Sequence, residues 1–399
     1  MKNNLQFPQE KLKKIIDHLY PELVLLRRSL HQEPEAGFQE FQTTEKILQF
    51  LQSSGKLEIS RPLPTGAVAN LQFDAHLPWI AIRADIDALE LDDLKRVPYH
   101  SRRPGFCHAC GHDVHSTVLC GIAAVLLKED WPIPVNVRLI FQPAEEPVPS
   151  GAPLMIDKGV LQDIQTIWSL HVEPLLPLGK IGLTAGWVNA QSNKLEWELI
   201  GSPAHSARPQ LGANPISAGQ KIIHSLQEAS ERQWNSVEFP VVLAFTQFQT
   251  DNSSYNVTPS RAKLVATLRI TEPKSWAIYQ KEIERINILT ESETGVKISL
   301  AIHRGSPPVY NDGKIIQRFL HHLIFAQTAE MAVADDYRSM GGDDFGWYSQ
   351  QIPAAMVRFG ISQGEKTPAL HTGHFDVPEN VIQTAILFFL TQIFQWADQ

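Results

Sequence analysis

The feature that most constrains the fold is an alternation of short apolar runs with helical patterns. Four runs have the length and composition of buried strands: Trp79–Ala84, Val135–Phe141, Thr166–His171 and Ala354–Phe359. Helical periodicity occurs around them at Phe41–Leu51, Val114–Lys128 and Pro378–Trp396. Continuous apolar strands alternating with helices are typical of a mostly parallel sheet covered by helices. The sequence therefore predicts an α/β domain with a mostly parallel, mixed sheet.

The middle of the chain has a different pattern. Strands are predicted at Lys194–Ile200, Val241–Gln249 and Lys263–Ile270, and helices at Pro215–Glu228 and Trp276–Leu289. This ββαββα-like order predicts a smaller α+β, ferredoxin-like domain inserted into the larger one. We predict the larger domain at 1–185 and 305–399 and the inserted domain at 186–304. Hinges are predicted at Pro174–Pro177 and Ser306–Pro308.

A long helix is predicted over the first 30 or so residues. Leucine and isoleucine recur there at three- and four-residue steps between Leu12 and Leu30. Pro21 lies inside this pattern, and proline removes a helical hydrogen bond. We therefore predict a break, or the start of a second helix, at Pro21.

Charge, hydropathy and cysteine content exclude several classes of protein. The formal net charge is −8, from 35 basic and 43 acidic residues, which argues against a nucleic-acid partner. No apolar run approaches the ~18 residues of a membrane helix, and Met1–Pro8 has no apolar signal region. The three cysteines, Cys107, Cys110 and Cys120, exclude a disulfide framework. We therefore expect no membrane association and a reducing, cytoplasmic location.

Several polar side chains follow the predicted strands. Ligand crevices in α/β sheets lie at the carboxyl ends of strands, so one crevice can gather residues from separate strands. The residues with this placement, or in adjoining loops, are Asp85, Asp87, Cys110, His112, Glu145, Glu146, His171 and His371.

Cys110 and His112 stand two residues apart, so both can reach one metal ion. Thiolate favours zinc-like metals, and imidazole suits most transition metals. Two alternatives stay open on spacing alone. Cys107 and Cys110 fit half of a structural zinc knuckle, although only Cys120 remains as a further thiol. Cys107-x-x-Cys110 also fits a redox pair, but no thioredoxin-like unit surrounds it.

The adjacent carboxylates Glu145 and Glu146 follow a buried strand. Such a pair is often only a charged surface turn, and single histidines such as His171 and His371 are often structural. Two like charges at a strand end are nevertheless costly unless a cation neutralises one of them. We therefore expect one carboxylate to bind metal and the other to act as a general base. Asp87 is expected to hydrogen-bond a ligand histidine, or to be a plain turn residue.

The inserted domain carries a second group of candidates. His205 lies in a loop after a strand, Asn256 precedes Val257-Thr258-Pro259, and Arg269 ends the next strand. An arginine fork grips a carboxylate in bidentate fashion, which suggests a carboxylate-bearing substrate. The alternative is a solvated strand end.

In their order along the chain, these motifs resemble one family, the M20 metallopeptidase clan in its amidohydrolase branch. That branch includes N-acyl-amino-acid amidohydrolases, hippurate hydrolases and auxin-conjugate hydrolases. The resemblance runs from about Leu25 to Val381. The motifs that carry it are Arg27-Arg28-Ser29-Leu30-His31, Arg83-Ala84-Asp85-Ile86-Asp87, His108-Ala109-Cys110-Gly111-His112-Asp113, Gln142-Pro143-Ala144-Glu145-Glu146, His171, Asn256-Val257-Thr258-Pro259, Asp343-Asp344-Phe345 and Leu370-His371.

The resemblance implies a hydrolase with two divalent metal ions per subunit (Mn, Zn, Co or Ni) and an inserted lid domain. The residues that match the metal ligands are Cys110, His112, Glu146, His171 and His371. Glu145 matches the general base, and Asp87 the position that orients a ligand. The lid residues that match substrate or oxyanion contacts are His205, Asn256 and Arg269. A lid histidine serves the neighbouring subunit in some relatives, so a homodimer through the lid is expected.

The expected activity is hydrolysis of the amide bond of small-molecule N-acyl amino acids. Metals lower the pKa of bound water and polarise a carbonyl. The alternatives are a deacetylase of the N-acetyl-diaminopimelate type, a small peptidase, or a metal-dependent binding protein that has lost turnover.

Overall fold

The computed structural model describes residues 8–55, 57–232, 234, 240–252, 254–325, 332–365 and 367–396. It forms two compact units. The first, called the larger domain below, comprises Met1–Gly186, Val309–Tyr337 and Asp344–Gln399. The second, called the inserted domain, comprises Trp187–Pro308 and Arg338–Asp343. The expectation about a signal region in Met1–Pro8 falls outside the described residues, except for Pro8.

The strands are numbered in chain order. They are β1 Glu58–Ser60, β2 Ala67–Leu71, β3 Trp79–Asp85, β4 Asn136–Gln142, β5 Ile164–Pro177, β6 Lys180–Gly182, β7 Gly186–Trp187, β8 Gln191–Ile200, β9 Val241–Thr250, β10 Arg261–Ile270, β11 Lys297–Arg304, β12 Tyr310–Asn311, β13 Ala332–Ala334 and β14 Ala354–Ser362.

The helices are numbered in the same way. They are α1 Gln9–Gln32, α2 Phe41–Ser54, α3 His112–Leu126, α4 Gly151–Asp157, α5 Pro215–Arg232, α6 Trp276–Thr294, α7 Gly313–Phe325, α8 Gly346–Ser349 and α9 Val381–Phe394. No helix of the described residues is both long enough and apolar enough to cross a lipid bilayer.

The larger domain contains an eight-stranded mixed sheet in the order β1-β2-β4-β3-β5-β14-β6-β13. Its central strands β4, β3, β5 and β14 are all parallel to their neighbours in this set. Apolar side chains of the sheet and of α1, α2, α3, α7 and α9 form one hydrophobic core. The predicted α/β class is confirmed, and the carboxyl ends of the four central strands lie at one edge of the sheet.

The helix α1 runs without interruption through Pro21, so the predicted break is wrong. Leu12 and Ile16 before the proline and Leu23 after it are all buried. Burial of this apolar face on both sides of the proline outweighs the loss of one backbone hydrogen bond.

The inserted domain is a four-stranded antiparallel sheet in the order β11-β8-β10-β9. The chain order is β8-α5-β9-β10-α6-β11, which is βαββαβ and gives the ferredoxin-like topology. The predicted ββαββα order is therefore wrong: one strand, not two, precedes α5, and the strand β11, which was not predicted, follows α6. The two helices bury a separate core that contains Trp197, Ile222 and Ile283.

The predicted hinge at Pro174–Pro177 is also wrong. These residues end β5, inside the larger domain, and the boundary between the two units falls at Gly186/Trp187. At the other end the boundary follows Pro308, next to the predicted hinge Ser306–Pro308.

Candidate metal centre and active site

The predicted ligands converge at the carboxyl edge of the central strands. The described residues contain three overlapping groups of three side chains, and within each group the possible ligand atoms lie within 4.8 Å of one another. They are Cys110 with His112 and His171, Cys110 with Glu146 and His371, and His112 with Glu145 and Glu146. The five side chains proposed as ligands and the carboxylate proposed as base therefore form one cluster.

The backbone before α3 places Cys110 and His112 on the same side. Gly111 between them has a φ of 92°, a left-handed conformation that favours glycine. A Cβ atom at this position would also lie 2.5 Å from Cγ2 of Val172, on β5. Both the backbone conformation and the close approach of Val172 therefore require glycine at this position. The helix α3 begins directly after it, at His112.

Asp87 fixes the orientation of His112. The Nδ1 of this imidazole lies 2.9 Å from the Asp87 carbonyl oxygen and 3.2 Å from Oδ1 of Asp87. Both partners are acceptors, so Nδ1 carries a proton, and Nε2 is the nitrogen that faces the cluster. The other carboxylate oxygen of Asp87 accepts the backbone N–H of Glu146 at 3.0 Å.

His171 is held in the same tautomer. Its Nδ1 donates to the Val172 carbonyl oxygen at 2.6 Å, and its Nε2 lies 3.4 Å from Sγ of Cys110. A thiol from the loop before α3 and an imidazole nitrogen from β5 thus face each other, as ligands of one ion do.

His371 enters from the loop after β14. Its Nε2 lies 3.4 Å from Oε1 of Glu146, and its side chain is 52% exposed. Its φ is 59°, and its backbone N–H donates to the Ala109 carbonyl oxygen at 2.9 Å. This bond ties the His371 loop to the segment that carries Cys110.

Two buried polar atoms in the cluster lack a hydrogen-bond partner among the described residues. They are Nε2 of His112 and Oε1 of Glu146, separated by 4.0 Å. Buried polar atoms without partners are rare because their desolvation is not compensated. A cation between them would satisfy both, so these residues fit a metal ion.

The electrostatics of the cluster also favour a bound cation. Burial raises the pKa of Glu146, and the carboxylates of Asp87 and Asp85 raise it further. Although burial disfavours the imidazolium, Asp85 and Cys110 raise the pKa of His112 well above its usual value. Burial also raises the pKa of the Cys110 thiol. Without an ion the cluster thus retains protons, which a divalent cation would displace.

Glu145 is positioned by a buried network. Its Oε1 accepts the backbone N–H of Asp344 at 3.2 Å. The Asp344 carboxylate pairs with Arg83 and accepts the Gln142 side-chain amide at 2.8 Å. Arg83 also pairs with Asp85, so one buried guanidinium connects the two strand ends and the Asp344 loop.

His115 and Cys107 have other partners. The Nδ1 of His115 lies 2.6 Å from Oδ1 of Asp85, and its Nε2 accepts the Val172 N–H at 3.0 Å, so both nitrogens are occupied. Sγ of Cys107 lies 3.5 Å from Nζ of Lys95. Cys107 can group with His31 and Asp93, but the Lys95 ammonium, 2.9 Å from Asp93, already supplies a cation there. This arrangement does not support a zinc knuckle that uses Cys107 and Cys110.

The candidates in the inserted domain lie at two ends of its sheet. Ser206, next to His205, donates its N–H to the Asn256 carbonyl oxygen at 2.8 Å, so His205 and Asn256 are neighbours. Their loops adjoin the start of β10, because the Gly201 N–H, shortly before His205, donates to the carbonyl oxygen of Ser260, shortly after Asn256. Arg269 lies near the other end of β10 and donates to the Met340 carbonyl oxygen at 2.9 Å. The predicted triad is therefore not assembled within one inserted domain.

The sequence analysis assigned no role to four supporting residues, Arg83, Gln142, Asp344 and Glu40, although the first three lie within the motifs that carry the resemblance. A signal existed for the first, because arginine is rarely buried and here stands inside an apolar strand, two residues before Asp85. No local pattern identifies Glu40, which contacts the site through a residue 104 positions away.

Comparisons with known proteins identify the family of this chain. Residues 81–393 match the model of peptidase family M20/M25/M40. The chain is 31% identical to an N-acetylcysteine deacetylase of Bacillus subtilis, covering 92% of this chain and 94% of that one. It is 33% identical to an N-acyl-L-amino acid amidohydrolase of Geobacillus stearothermophilus, with coverage of 76% and 81%.

A solved structure supports the same conclusion. The YXEP protein of Bacillus subtilis, described as a dinuclear metal-binding peptidase from the M20 family, superposes with a TM-score of 0.83. It is 29% identical, and the match covers 96% of this chain and 99% of that one. This chain therefore belongs to peptidase family M20/M25/M40 and is a hydrolase of its amidohydrolase branch.

Proposed function

We propose that the enzyme hydrolyses the amide bond between an acyl group and the amino group of an amino acid. The observation that carries the proposal is the placement of Glu145. Its carboxylate lies outside the proposed ligand set, yet one oxygen is within 4.8 Å of the ligand atoms of His112 and Glu146. A carboxylate beside, but not among, the ligands suits a general base.

Two divalent ions, Mn, Zn, Co or Ni, would be held by five side chains: Cys110, His112, Glu146, His171 and His371. When bound, they lower the pKa of water and polarise the scissile carbonyl. Asp87 supports this set, because it orients His112 and holds the backbone of Glu146 with the same carboxylate. Neutral imidazoles with Nδ1 protonated leave Nε2 free for coordination.

Glu145 would move the proton. Its carboxylate takes a proton from the attacking water as the new C–O bond forms at the carbonyl. It then gives that proton to the leaving nitrogen as the C–N bond breaks, so the products are a carboxylic acid and a free amine. The Asp344 N–H donates to Oε1 of Glu145 at 3.2 Å and so orients this carboxylate.

The inserted domain would bind substrate in a dimer. Within β10, Arg261 and Arg269 are about 26 Å apart, from eight residues at ~3.3 Å each. His205 and Asn256 lie at the Arg261 end, so they cannot share one small substrate with Arg269 of the same chain. We therefore assign Arg269 to the substrate carboxylate at one site, and His205 and Asn256 to the site of the neighbouring subunit.

His205 is prepared to donate a hydrogen bond. Its Nδ1 accepts the Ala207 N–H at 3.1 Å, so the proton of the neutral ring is on Nε2. An exposed Nε2–H suits a developing oxyanion, and one such donor is worth roughly 3–4 kcal/mol in the transition state.

We propose the cytoplasm as the compartment. Cys107, Cys110 and Cys120 are all free and buried. A thiol ligand is protected from oxidation in a reducing environment.

A substrate panel on metal-reconstituted protein tests the function. Chelated protein is reloaded with Mn²⁺, Co²⁺ or Zn²⁺ and assayed with N-acetyl and N-benzoyl amino acids and with dipeptides. We expect hydrolysis of acylated amino acids to exceed that of dipeptides. The opposite order would indicate a peptidase, and no hydrolysis with any metal would indicate a binding protein.

A further inference from the structure

The turn that carries Glu145 and Glu146 contains a strained backbone position. Ala144 has a φ of 56°, in the left-handed region that residues with a Cβ atom seldom adopt. Such a conformation persists only where surrounding contacts enforce it. The side chains of Glu145 and Glu146 follow directly, so their direction depends on this residue.

One side chain contacts the backbone N–H of Ala144. Oε1 of Glu40 accepts this N–H at 2.7 Å. Glu40 is fully buried and stands directly before α2. Its own carbonyl oxygen accepts the N–H of Thr44 at 2.9 Å and the Thr44 hydroxyl at 2.6 Å. The carboxylate is therefore anchored on the first turn of a buried helix.

The remaining contacts of the turn do not replace this bond. The Ala144 carbonyl oxygen accepts the Gly151 N–H at 2.7 Å, and Asp87 holds the N–H of Glu146. Neither contact involves the N–H of Ala144. Glu40 thus holds the backbone N–H of Ala144, before Glu145, and Asp87 holds the backbone N–H of Glu146, after it.

A buried carboxyl group at this position is costly. Burial raises the pKa of Glu40 to about 7, and the nearby Asp87 carboxylate contributes. An apolar residue at position 40 would avoid that cost. The presence of Glu40 beside the turn that carries Glu145 suggests a role that offsets the cost.

We propose that Glu40 is a positioning residue that holds Ala144 in the left-handed conformation and so directs Glu145 and Glu146 into the metal centre. The inference rests on the proposed function for its kinetic consequence. Its structural consequence, the placement of Glu146, is independent of the substrate.

The test compares Glu40→Leu with Glu40→Gln. Leucine is similar in size but cannot accept the Ala144 N–H, whereas glutamine can. We expect Glu40→Leu to weaken Mn²⁺ binding to chelated protein about tenfold in calorimetric titration, as loss of a supporting contact does. Its kcat should fall about tenfold with KM nearly unchanged, and Glu40→Gln should stay close to wild type. Should the leucine variant not fold, Glu40→Ala carries the same expectations.

Glu35 provides a matched control. It is also buried, and its Oε2 accepts a backbone N–H, that of Thr43, at 2.8 Å. Glu35→Leu should lower the melting temperature as Glu40→Leu does, yet leave Mn²⁺ affinity and kcat unchanged. Equal effects of the two leucine variants, or failure of Glu40→Gln to preserve binding, would overturn the proposal.

A double variant tests the backbone link itself. Glycine adopts positive φ freely, so Ala144→Gly should recover part of the Mn²⁺ affinity lost in Glu40→Leu. No recovery would contradict the role of the Ala144 conformation. Because Mn²⁺ titration needs no substrate, absence of hydrolysis on every acylated amino acid would refute the proposed function and still leave the Glu40 inference tested.

Discussion

His112 and Glu146 share one partner, Asp87, whose two carboxylate oxygens hold an imidazole and a backbone amide. A single aspartate thus sets the distance between two proposed ligands. His171 has no such carboxylate and uses the Val172 carbonyl oxygen instead. Three members of the proposed ligand set are therefore held in place by Asp87 and Val172, which lie outside that set.

Glu145→Gln tests the base. Glutamine accepts the Asp344 N–H as before but cannot take a proton, so kcat should fall by roughly 10²–10⁴-fold. Metal content, measured by elemental analysis after reloading, should remain that of wild type. Turnover within tenfold of wild type would refute the assignment.

Cys110→Ser tests the thiol ligand. A hydroxyl is a far weaker ligand than a thiolate, so Zn²⁺ affinity should fall by about tenfold or more. Cys107→Ser is the control, because Cys107 contacts Lys95. Its Zn²⁺ affinity should remain within a few-fold of wild type in competition titration. Equal losses of Zn²⁺ affinity in both variants would instead support a zinc knuckle formed by Cys107 and Cys110.

The sequence alone could predict the residues that end strands, but not those that support them. Cys110, His112, Glu145 and Glu146 were predictable because each adjoins a recognisable strand or helix. The roles of Glu40 and of Asp344, which lies in a quoted motif, were not predictable, because they come from tertiary contacts with a turn that lies far away in the chain. The tautomers of His112 and His171 also required the structure.

At the scale of elements, a buried ion network joins α1 to α3. Asp113 on α3 pairs with Arg27 and His31, both on α1, at 2.8 and 2.7 Å. Although burial disfavours the imidazolium, Asp113 raises the pKa of His31 to about 9. A protonated His31 therefore stabilises the contact between the two helices.

The pH dependence of stability tests this network. The folded pKa of His31 lies above the unfolded value of about 6.5, so its contribution is complete below pH 6.5 and is lost as pH rises towards 9. The loss amounts to at most about 3 kcal/mol. In urea denaturation, His31→Gln should destabilise the protein more at pH 6 than at pH 9.5.

His18 on the exposed side of α1 is the control for that measurement. His18→Gln should change the free energy of unfolding little at either pH. If the free energy of unfolding differs between wild type and His31→Gln by the same amount at both pH values, the assigned protonation of His31 is wrong.

The elements that sequence periodicity predicted wrongly have identifiable causes. Pro21 is tolerated because the apolar face of α1 is buried on both sides of it. The strand β11 was missed although Ile298, Leu300 and Ile302 recur at every second residue, which is the pattern of a strand with one half-buried face. Tertiary packing decided the first case, whereas the second was a period-two signal that the sequence analysis did not use.

At the scale of the whole molecule, the proposed dimer makes each active site depend on two chains. Such a site is complete when one subunit supplies Glu145 and the other supplies His205. The separation of His205 from Arg269 along β10 is the observation behind this proposal. A monomeric enzyme would leave one of the two groups unused.

Subunit complementation tests the shared site. Glu145→Gln and His205→Ala should each be nearly inactive, but co-refolded together they should regain about a quarter of wild-type activity, because half of the random dimers hold one intact site. Mixing two preparations of Glu145→Gln gives the background. No recovery, with sedimentation showing mixed dimers, would contradict the proposal.

The proposed ligands are spread from Cys110 to His371, with contributions from several strand ends and one late loop. An unfolded chain cannot hold all five together, so the complete centre would form only in the folded larger domain. Metal would then act as a ligand of the native state, adding about 2.7 kcal/mol when free metal is a hundredfold above its dissociation constant. In the cell, the supply of metal would therefore set what fraction of the enzyme is folded at any moment.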